Sequence, residues 1–198
     1  MNFFSNVTQC FDLPVLEWIA ANLKCAALDI LMPIITLLGD GGIFWIVTTV
    51  VLLILPKCRK VGMAMGFALL LSVLICNITL KPLIARIRPY DYQLIHFNKQ
   101  IELLIPALDD FSFPSGHTLI CFVSATVIFL NHKAWGAAAL ISAILVAFSR
   151  LYLYVHYPTD VLASIAIGIV IAFFANYLAK ICYPPLVNFV ASKKANAA

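Results

Sequence analysis

The chain has 198 residues, of which 63% are hydrophobic and only 11% are charged. A soluble domain typically carries about 25% charged residues, so this composition excludes a fold in water and predicts an integral membrane protein. The formal net charge of +4 is too small, and the basic residues are too dispersed, to indicate binding to nucleic acid.

The N-terminal segment from Pro14 to Lys24 is predicted to form a short amphipathic helix that lies at the membrane interface. The first twenty residues contain Asp12 and Glu17 and neither Lys nor Arg. A cleaved signal peptide begins with a positively charged region, so we expect no cleavable signal here.

Six apolar segments follow, and a bilayer-spanning helix needs about 20 such residues, or fewer where neighbouring helices shield it. They predict an all-α, polytopic membrane protein in which six transmembrane helices form one bundle and one domain, residues 1–198. The first segment is short and contains Asp29, and a glycine-rich turn separates it from the second. The six segments are Cys25–Leu38, Gly42–Leu55, Val61–Leu80, Gly116–Leu130, Ala134–Leu153 and Pro158–Cys182.

The connecting loops indicate the orientation of the chain, because short loops rich in Lys and Arg stay in the cytoplasm. With six spans, the basic positions between segments two and three, between segments four and five, and in the tail all fall on one side. We therefore expect the Lys81–Pro114 connection to lie on the non-cytoplasmic side. The basic residues on the cytoplasmic side are Lys57, Arg59, Lys60, Lys133, Lys193 and Lys194.

Ionisable residues gather at the non-cytoplasmic ends of the predicted helices. Each such residue costs about 2.5–3.5 kcal/mol inside a membrane helix, so the group suggests a function. Lys81, Arg88 and Arg150 supply positive charge at these ends. Arginine presents a planar fork of donors that suits phosphate oxygens, and lysine acts as a point charge. These three side chains therefore favour a phosphoryl ligand.

The start of the fourth segment adds a second anion-binding feature. Ser115 is placed to cap the helix, so the amides of Gly116 and His117 point outward at the positive end of the helix dipole. Helix N-termini of this kind bind phosphate groups, and Gly116 lets a ligand approach the backbone closely. This arrangement also indicates a phosphoryl ligand.

Two histidines and an aspartate can supply the chemistry. His156 and Asp160 are four residues apart, and Pro158 between them is acceptable in a first helical turn. If the helix extends back to His156, both side chains share one face, and Asp160 can hold one ring nitrogen while the other attacks. His117 is expected to donate a proton to the leaving oxygen. His156 must then be neutral and His117 protonated.

Other residues are given simpler interpretations. Arg86 either extends to the lipid headgroups or contacts the substrate. Asp109 and Asp110 are expected to stay solvated in their loop. The six scattered cysteines are interpreted as buried apolar residues rather than as disulfides or metal ligands. An interfacial aromatic belt is predicted for Tyr90, Tyr92, Tyr152, Tyr154 and Tyr157.

These residues resemble the signature of the type 2 phosphatidic acid phosphatase (PAP2) superfamily, which has three parts. The first, KxxxxxxRP, is matched from Lys81 to Pro89, and the second, PSGH, is matched by Pro114–His117. The third, SRxxxxxHxxxD, is matched from Ser149 to Asp160. All three occur in the family's order and without a departure, so the motif core covers residues 81–160.

The resemblance implies a metal-independent membrane phosphatase that needs no cofactor. In such an enzyme His156 would take the phosphoryl group as a covalent intermediate, Asp160 would orient it, and His117 would protonate the leaving group. The phosphate oxygens would be held by Lys81, Arg88, Ser115, Gly116 and Arg150.

A lipid phosphate or diphosphate in the bilayer is the substrate class that this resemblance implies. In its compact size the chain resembles bacterial enzymes of the family that act on undecaprenyl diphosphate in the cytoplasmic membrane, with phosphatidylglycerol phosphate and phosphatidic acid as alternatives. A membrane anion carrier would use the same cations but would give His156 and Asp160 no particular role. The sequence leaves the oligomeric state open. The loop from Tyr90 to Phe113 is expected to shape the lipid entrance through Leu94, Ile95, Phe97, Ile101, Leu103 and Leu104.

Overall fold

The computed structural model describes residues 6–195, and the side chains of residues 6–184. The described residues form helices and connecting segments without a β-strand, which confirms the predicted all-α class. Two π-helical segments, Thr8–Asp12 and Val73–Leu80, and one 3-10 segment, Leu37–Gly42, adjoin the α-helices. The α-helices are α1 (Leu13–Asn22), α2 (Ala26–Thr36), α3 (Ile43–Ile54), α4 (Arg59–Ser72), α5 (Lys81–Ile84), α6 (Pro89–Phe97), α7 (Gly116–Asn131), α8 (Lys133–Tyr152) and α9 (Pro158–Ala195).

Each of the six predicted apolar segments coincides with a helix. The first two are α2 and α3, which the 3-10 segment joins. Within this segment the chain bends, because Asp40 has an extended ψ of 124° and Gly41 and Gly42 have positive φ. Glycine adopts positive φ without a steric cost, so the chain turns here. α7 is a shorter apolar helix. Among the described residues, four stretches are long and apolar enough to cross a bilayer: Ala26–Ile54, Arg59–Phe97, Lys133–Tyr152 and Pro158–Pro184.

The centre of the bundle is α7. Nine of the ten residues from Thr118 to Val127 are buried, and a helix that is buried all round lies in the interior. Helices α4, α8 and α9 pack around it. The outer helices expose large apolar side chains, such as Ile54 at 67% in α3 and Val170 at 68% in α9. Such surfaces are expected where helices face lipid.

The N-terminal helices lie at one end of this bundle. The predicted N-terminal helix is present as α1 and packs against the C-terminal end of α8. Both ends of α2 form hydrogen bonds with residues in the last turn of α8. The Cys25 N–H donates to the Tyr152 hydroxyl at 3.3 Å, and Arg150 Nη1 donates to Thr36 Oγ1 at 2.8 Å. The basic tail residues Lys193 and Lys194 have side chains outside the described residues.

The prediction of an interfacial tyrosine belt is wrong for Tyr92, which is 8% exposed, and for the three tyrosines around the third motif. Tyr152, Tyr154 and Tyr157 are only 2%, 6% and 1% exposed. They belong to two apolar clusters that also include side chains of α1 and α6, and Gln93 Nε2 donates to the Tyr154 hydroxyl at 2.9 Å. They are buried because the N-terminal helices cover the surface that the sequence assigned to the membrane interface.

All six cysteines are free thiols. Cys76 and Cys121 are buried as predicted, whereas Cys10, Cys25 and Cys182 are exposed. The prediction of burial is wrong for these three because an apolar group in a bilayer is stabilised by lipid as well as by protein. Hydropathy therefore does not distinguish the inner face of a membrane helix from its outer face.

Candidate active site

The three motifs meet in one cavity of about 270 Å³ at the C-terminal end of α8. Its walls come from the N-terminus of α7, the π-helical segment Val73–Leu80 with the residues after it, and the loop between α8 and α9. Two of the eight candidate residues, Ser115 and Asp160, are 0% exposed and lie behind the wall. The other six line the cavity: Lys81, Arg88, Gly116, His117, Arg150 and His156.

Arg150 is a buried cation with unsatisfied donors. Its side chain is 1% exposed, and Nη1 donates to Thr36 Oγ1 at 2.8 Å. Nε and Nη2 are buried and have no hydrogen-bond partner among the residues that the structure describes. A buried charged group without partners is unfavourable, and a guanidinium matches two oxygens of a phosphoryl group. Arg150 is therefore arranged to receive an anion in the cavity.

The other two cavity cations are paired with a carboxylate. Lys81 Nζ and Arg88 Nη2 each donate to one oxygen of Asp110, on the loop before α7. Arg88 also donates from Nε to Asp110 O at 2.8 Å and from Nη1 to Val155 O at 2.7 Å. Burial alone would raise the pKa of Asp110, but hydrogen bonds from Lys81 and Arg88 lower that pKa to about 2. The prediction that Asp110 is merely solvated is wrong, because its loop returns over the two cations.

His156 is held in one orientation by the loop before α7. Its Nδ1 lies 2.8 Å from Ser112 O. A carbonyl oxygen only accepts hydrogen bonds, so Nδ1 carries the proton and Nε2 does not. Arg88 Nη1 lies 3.4 Å from Nε2, at the cavity wall. Nε2 therefore has the lone pair that a nucleophile requires.

The surroundings of His156 also keep its imidazole neutral. Burial lowers the pKa of His156 well below its ordinary value, and the charges of Arg88, Arg150 and Lys81 lower it further. The hydrogen bond to Ser112 acts in the opposite direction but has a smaller effect. A neutral ring is the protonation state in which Nε2 can attack an electrophile.

The sequence suggests that Asp160 holds the His156 ring directly, but the structure shows that it does not. Its Oδ2 lies 3.7 Å from His156 Nδ1, which is beyond hydrogen-bond distance. Oδ2 accepts instead from Ser112 Oγ and, at 3.0 Å, from the Tyr157 N–H. Helix α9 begins at Pro158, after His156, so the two side chains do not share a helical face. Asp160 supports Ser112, and the carbonyl of Ser112 holds the ring.

Arg86 connects Asp160 to the N-terminal segment. Nη1 donates to Asp160 Oδ1 and Nη2 donates to Asp12 Oδ2, each at 2.6 Å. The guanidinium also donates to two threonine hydroxyls and lies 3.8 Å from the centre of the Tyr157 ring. Arg86 is 7% exposed and does not line the cavity. It therefore fits neither alternative that the sequence left open, the lipid headgroups or the substrate.

His117 lines the cavity from the first turn of α7. A Cβ added to Gly39 would lie 2.9 Å from His117 Cδ2, so Gly39 leaves the room that the imidazole occupies. Asp40 Oδ1 lies 3.9 Å from His117 Nε2. That distance is too long for a hydrogen bond. The turn before α3 therefore determines the surroundings of His117.

Ser115 occupies the N-cap position of α7 with a ψ of 106° but makes no side-chain capping bond. Its Oγ lies 3.0 Å from Thr118 Oγ1. Gly116 starts the helix, and a Cβ built there would meet Cys76 Sγ at 4.0 Å, an ordinary contact. The helix N-terminus therefore opens to the cavity at Gly116, while the Ser115 hydroxyl is directed to Thr118.

Several residues around the cavity were given no role at the site from the sequence. Ser112 and Asp110 lie in a loop without the periodicity that indicates an element, so no pattern identified their partners. Asp12 did carry a signal, because a carboxylate in an apolar N-terminal segment requires a partner. It is 0% exposed and is bound to Arg86.

Comparisons with known proteins agree with the motifs and the fold. A family model described as the PAP2 superfamily matches residues 61–182. This chain belongs to the PAP2 superfamily. An undecaprenyl-diphosphatase from Sulfolobus acidocaldarius is 32% identical to it over 164 residues, which cover 82% of this chain and 76% of that protein.

Two solved PAP2-like structures share the fold. The crystal structure of LpxE from Aquifex aeolicus matches with a TM-score of 0.70 at 27% identity, covering 84% of this chain and 94% of that one. A phosphatidylglycerolphosphate phosphatase of the PAP2 type from Bacillus subtilis matches with a TM-score of 0.69 at 26% identity, covering 89% and 88%. The matched PAP2 region of this chain contains all eight candidate residues, whereas Asp12, Thr36 and Gly39 precede it.

Proposed function

We propose that this chain is an integral membrane phosphatase that removes a phosphate from a lipid phosphate or diphosphate, with undecaprenyl diphosphate as the leading substrate. The observation that carries the proposal is the juxtaposition of Arg150 and His156. Arg150 has buried donors without partners, and His156 presents an unprotonated Nε2 to the same cavity. The undecaprenyl-diphosphatase among the relatives supports the substrate class.

In the first step the lone pair of His156 Nε2 attacks phosphorus, and the bond from phosphorus to the leaving oxygen breaks. The departing oxygen takes a proton from His117. Arg150, Lys81 and Arg88 stabilise the negative charge on the phosphoryl oxygens in the transition state. Stabilisation of this kind by preorganised donors is usually the largest single contribution to an enzyme's rate enhancement. With a lipid diphosphate, the leaving group is the lipid monophosphate.

In the second step a water molecule attacks the phosphorus bound to His156. His117 takes the proton of this water, the bond from phosphorus to Nε2 breaks, and inorganic phosphate leaves. Asp160 acts through Ser112, whose carbonyl holds Nδ1 and keeps the ring in one tautomer throughout. Gly116 supplies the backbone amide at the helix N-terminus, and Ser115 supports it from behind the wall.

The site is proposed to face the extracytoplasmic side of a bacterial cytoplasmic membrane. The basic loop before α4 and the N-terminus of α8 border a second cavity, lined by Cys58 and His132 among others. Arg150 and the active-site cavity lie at the opposite end of α8. Since basic loops stay in the cytoplasm, this separation supports an extracytoplasmic site.

The segment after α5 is the proposed lipid entrance, and its apolar residues fall into two groups, one exposed and one packed inward. Leu94, Ile95 and Phe97 in α6 are 49%, 67% and 55% exposed, so they are available to lipid. The remaining apolar residues of this loop pack inward against the buried tyrosines instead: Ile101, Leu103 and Leu104. We therefore place contacts with the lipid tail on α6.

The test is phosphate release by detergent-solubilised protein in EDTA, comparing the unmodified chain with His156→Ala. Undecaprenyl diphosphate, phosphatidylglycerol phosphate and phosphatidic acid are offered in parallel. We expect release that the variant loses, fastest with undecaprenyl diphosphate, and phosphate trapped covalently on the unmodified protein only. His132→Ala is the matched control, because His132 is exposed and belongs to the other end of the bundle.

Equal release by the His156 variant and the unmodified protein would remove His156 as the nucleophile. Binding of phosphate without release from any lipid would instead favour an anion carrier. A faster reaction with phosphatidylglycerol phosphate or phosphatidic acid would keep the chemistry and change the substrate.

A further inference from the structure

Asp110 holds two of the three cavity cations through both of its carboxylate oxygens. Lys81 donates to Oδ2 and Arg88 donates to Oδ1. Arg150, in the same cavity wall, has two buried donor nitrogens without partners in the described part of the chain. One side of the proposed phosphate site is therefore neutralised by the protein itself, and the other side is not.

The two cations need this carboxylate for a physical reason. The side chains of Arg88 and Lys81 are only 2% and 13% exposed, and buried cations without a counter-ion are strongly unfavourable. A phosphoryl group offers the same cations more negative charge than a carboxylate does, and more oxygens with which to accept hydrogen bonds. Asp110 and a bound phosphoryl group cannot share these donors fully, and their like charges repel.

The carboxylate is able to leave without moving its loop. The backbone at Asp110 stays fixed by the bond from Arg88 Nε to Asp110 O and, two residues later, by the bond from Ser112 N to Arg86 O, each 2.8 Å long. The side chain of Asp110 is 51% exposed, so its carboxylate can rotate into solvent. Only side-chain torsions have to change.

We propose that Asp110 is an internal competitor of the phosphoryl group: it yields Lys81 and Arg88 to the substrate and reclaims them when phosphate leaves. It lowers the affinity of the site for inorganic phosphate, and so limits inhibition by the product. This inference rests on the proposed function for the location of the phosphate. It adds an affinity-determining residue that belongs to none of the three motifs.

The experiment measures how inorganic phosphate raises the unfolding temperature of the full chain in detergent, a readout that requires no turnover. Ligand that binds only the folded state stabilises it in proportion to ln(1 + [L]/Kd), so a titration gives the dissociation constant. We expect Asp110→Asn to bind phosphate about tenfold more tightly, which corresponds to about 1.4 kcal/mol. Asp109→Asn is the matched control, since Asp109 is exposed in the same loop and forms no ion pair within residues 6–184.

Each result has one meaning. Tighter binding by Asp110→Asn, with Asp109→Asn equal to the unmodified chain, supports the competitor. Unchanged or weaker binding by Asp110→Asn overturns it, because a carboxylate that merely positions Lys81 and Arg88 would aid phosphate binding. Loss of stability without phosphate does not interfere, since only the phosphate-dependent increment is compared.

The proposed function is tested separately by turnover. If His156→Ala released phosphate as fast as the unmodified chain, the nucleophile would be wrong while the binding result on Asp110 stood. In an active enzyme the same competitor predicts a second effect: the inhibition constant of inorganic phosphate falls about tenfold in Asp110→Asn. An unchanged inhibition constant would contradict it.

Discussion

Two arginines that are both buried near His156 have opposite surroundings. Arg86 donates to two carboxylates, Asp12 and Asp160, and lies over an aromatic ring. Arg150 donates only to Thr36, and its Nε and Nη2 have no partner among the described residues. The residue type is the same, but the fold supplies carboxylates to neutralise one charge and supplies none to the other within the described residues.

From this difference we infer a structural role for Arg86 and propose a role in phosphate binding for Arg150. A buried ion pair contributes little beyond what an apolar core would, yet removal of one partner leaves an uncompensated charge. Arg86 is in this position, because Asp12 and Asp160 both depend on it. Arg150 is the reverse case, since its own charge is the one that lacks compensation. Substitution of Arg86 should therefore lower the stability of the protein, whereas substitution of Arg150 should lower its activity.

The largest effect is expected for Arg86→Met. Asp12 and Asp160 are 0% exposed, so the substitution leaves two buried carboxylates without their cation, at a loss of about 3–5 kcal/mol in the free energy of unfolding. Denaturant unfolding in detergent measures this loss. Arg59→Met, at an exposed arginine of the opposite end, is the control and should change stability by less than about 0.5 kcal/mol. Equal stability of the two variants would contradict the comparison.

Arg150→Met is expected to separate activity from stability. The substitution removes two buried donors that have no partner among the described residues and one hydrogen bond, from Nη1 to Thr36, so these effects offset each other and the free energy of unfolding should change little. Loss of one preorganised donor for the phosphoryl oxygens should lower kcat about 10²–10³-fold. Both predictions, on stability and on kcat, are tested by measuring denaturant unfolding and phosphate release on the same preparation. A variant that loses stability as Arg86→Met does would erase the distinction between the two arginines.

The smallest effect concerns pH. Because burial and the nearby cations lower the pKa of His156, the acid limb of kcat/KM should lie well below the ordinary histidine pKa. The neutral nucleophile persists as pH falls and is lost only when it is finally protonated. Arg150→Met removes one of these charges, so its acid limb should move to higher pH on the same substrate.

Titration of the substrate is common to both proteins and cancels in that comparison. Arg150→Met also removes a positive charge that acts on His117, so only the acid limb is compared between the two proteins. An acid limb at the same pH in both proteins would show that the charge of Arg150 does not reach His156.

Seven of the eight candidate residues could be located from the sequence because they lie at or next to the ends of helices that hydropathy identifies, and the first motif located Arg88. Lys81 follows an apolar segment, Gly116 begins another, and Arg150 ends a third, so a bundle of six segments brings them to one end. Pattern and motif were sufficient because helix ends at the same membrane depth are neighbours in space. The cavity that six of the eight residues line follows from that arrangement.

The partners of these residues could not be located in the same way. Ser112 acts through its backbone carbonyl, which every residue possesses, so no side-chain pattern identifies it as the group that holds His156. Asp110 resembles any acid in a loop until its loop is seen to return over Lys81 and Arg88. The tyrosines resemble an interfacial belt because hydropathy does not show that α1 and α2 cover them.

The bond between Asp12 and the start of α9 has a consequence for the order in which the protein is made. Asp12 accepts from Arg86, 74 residues later, and from the N–H of Thr159, 147 residues later. At a synthesis rate of about 5–20 residues per second, the second interval lasts roughly 7–30 s. Throughout that interval the N-terminal segment is made but cannot take its final position. A nascent chain that ends at Tyr152, the last residue of α8, already carries every cation of the cavity, while His156 and Asp160 are still to be translated.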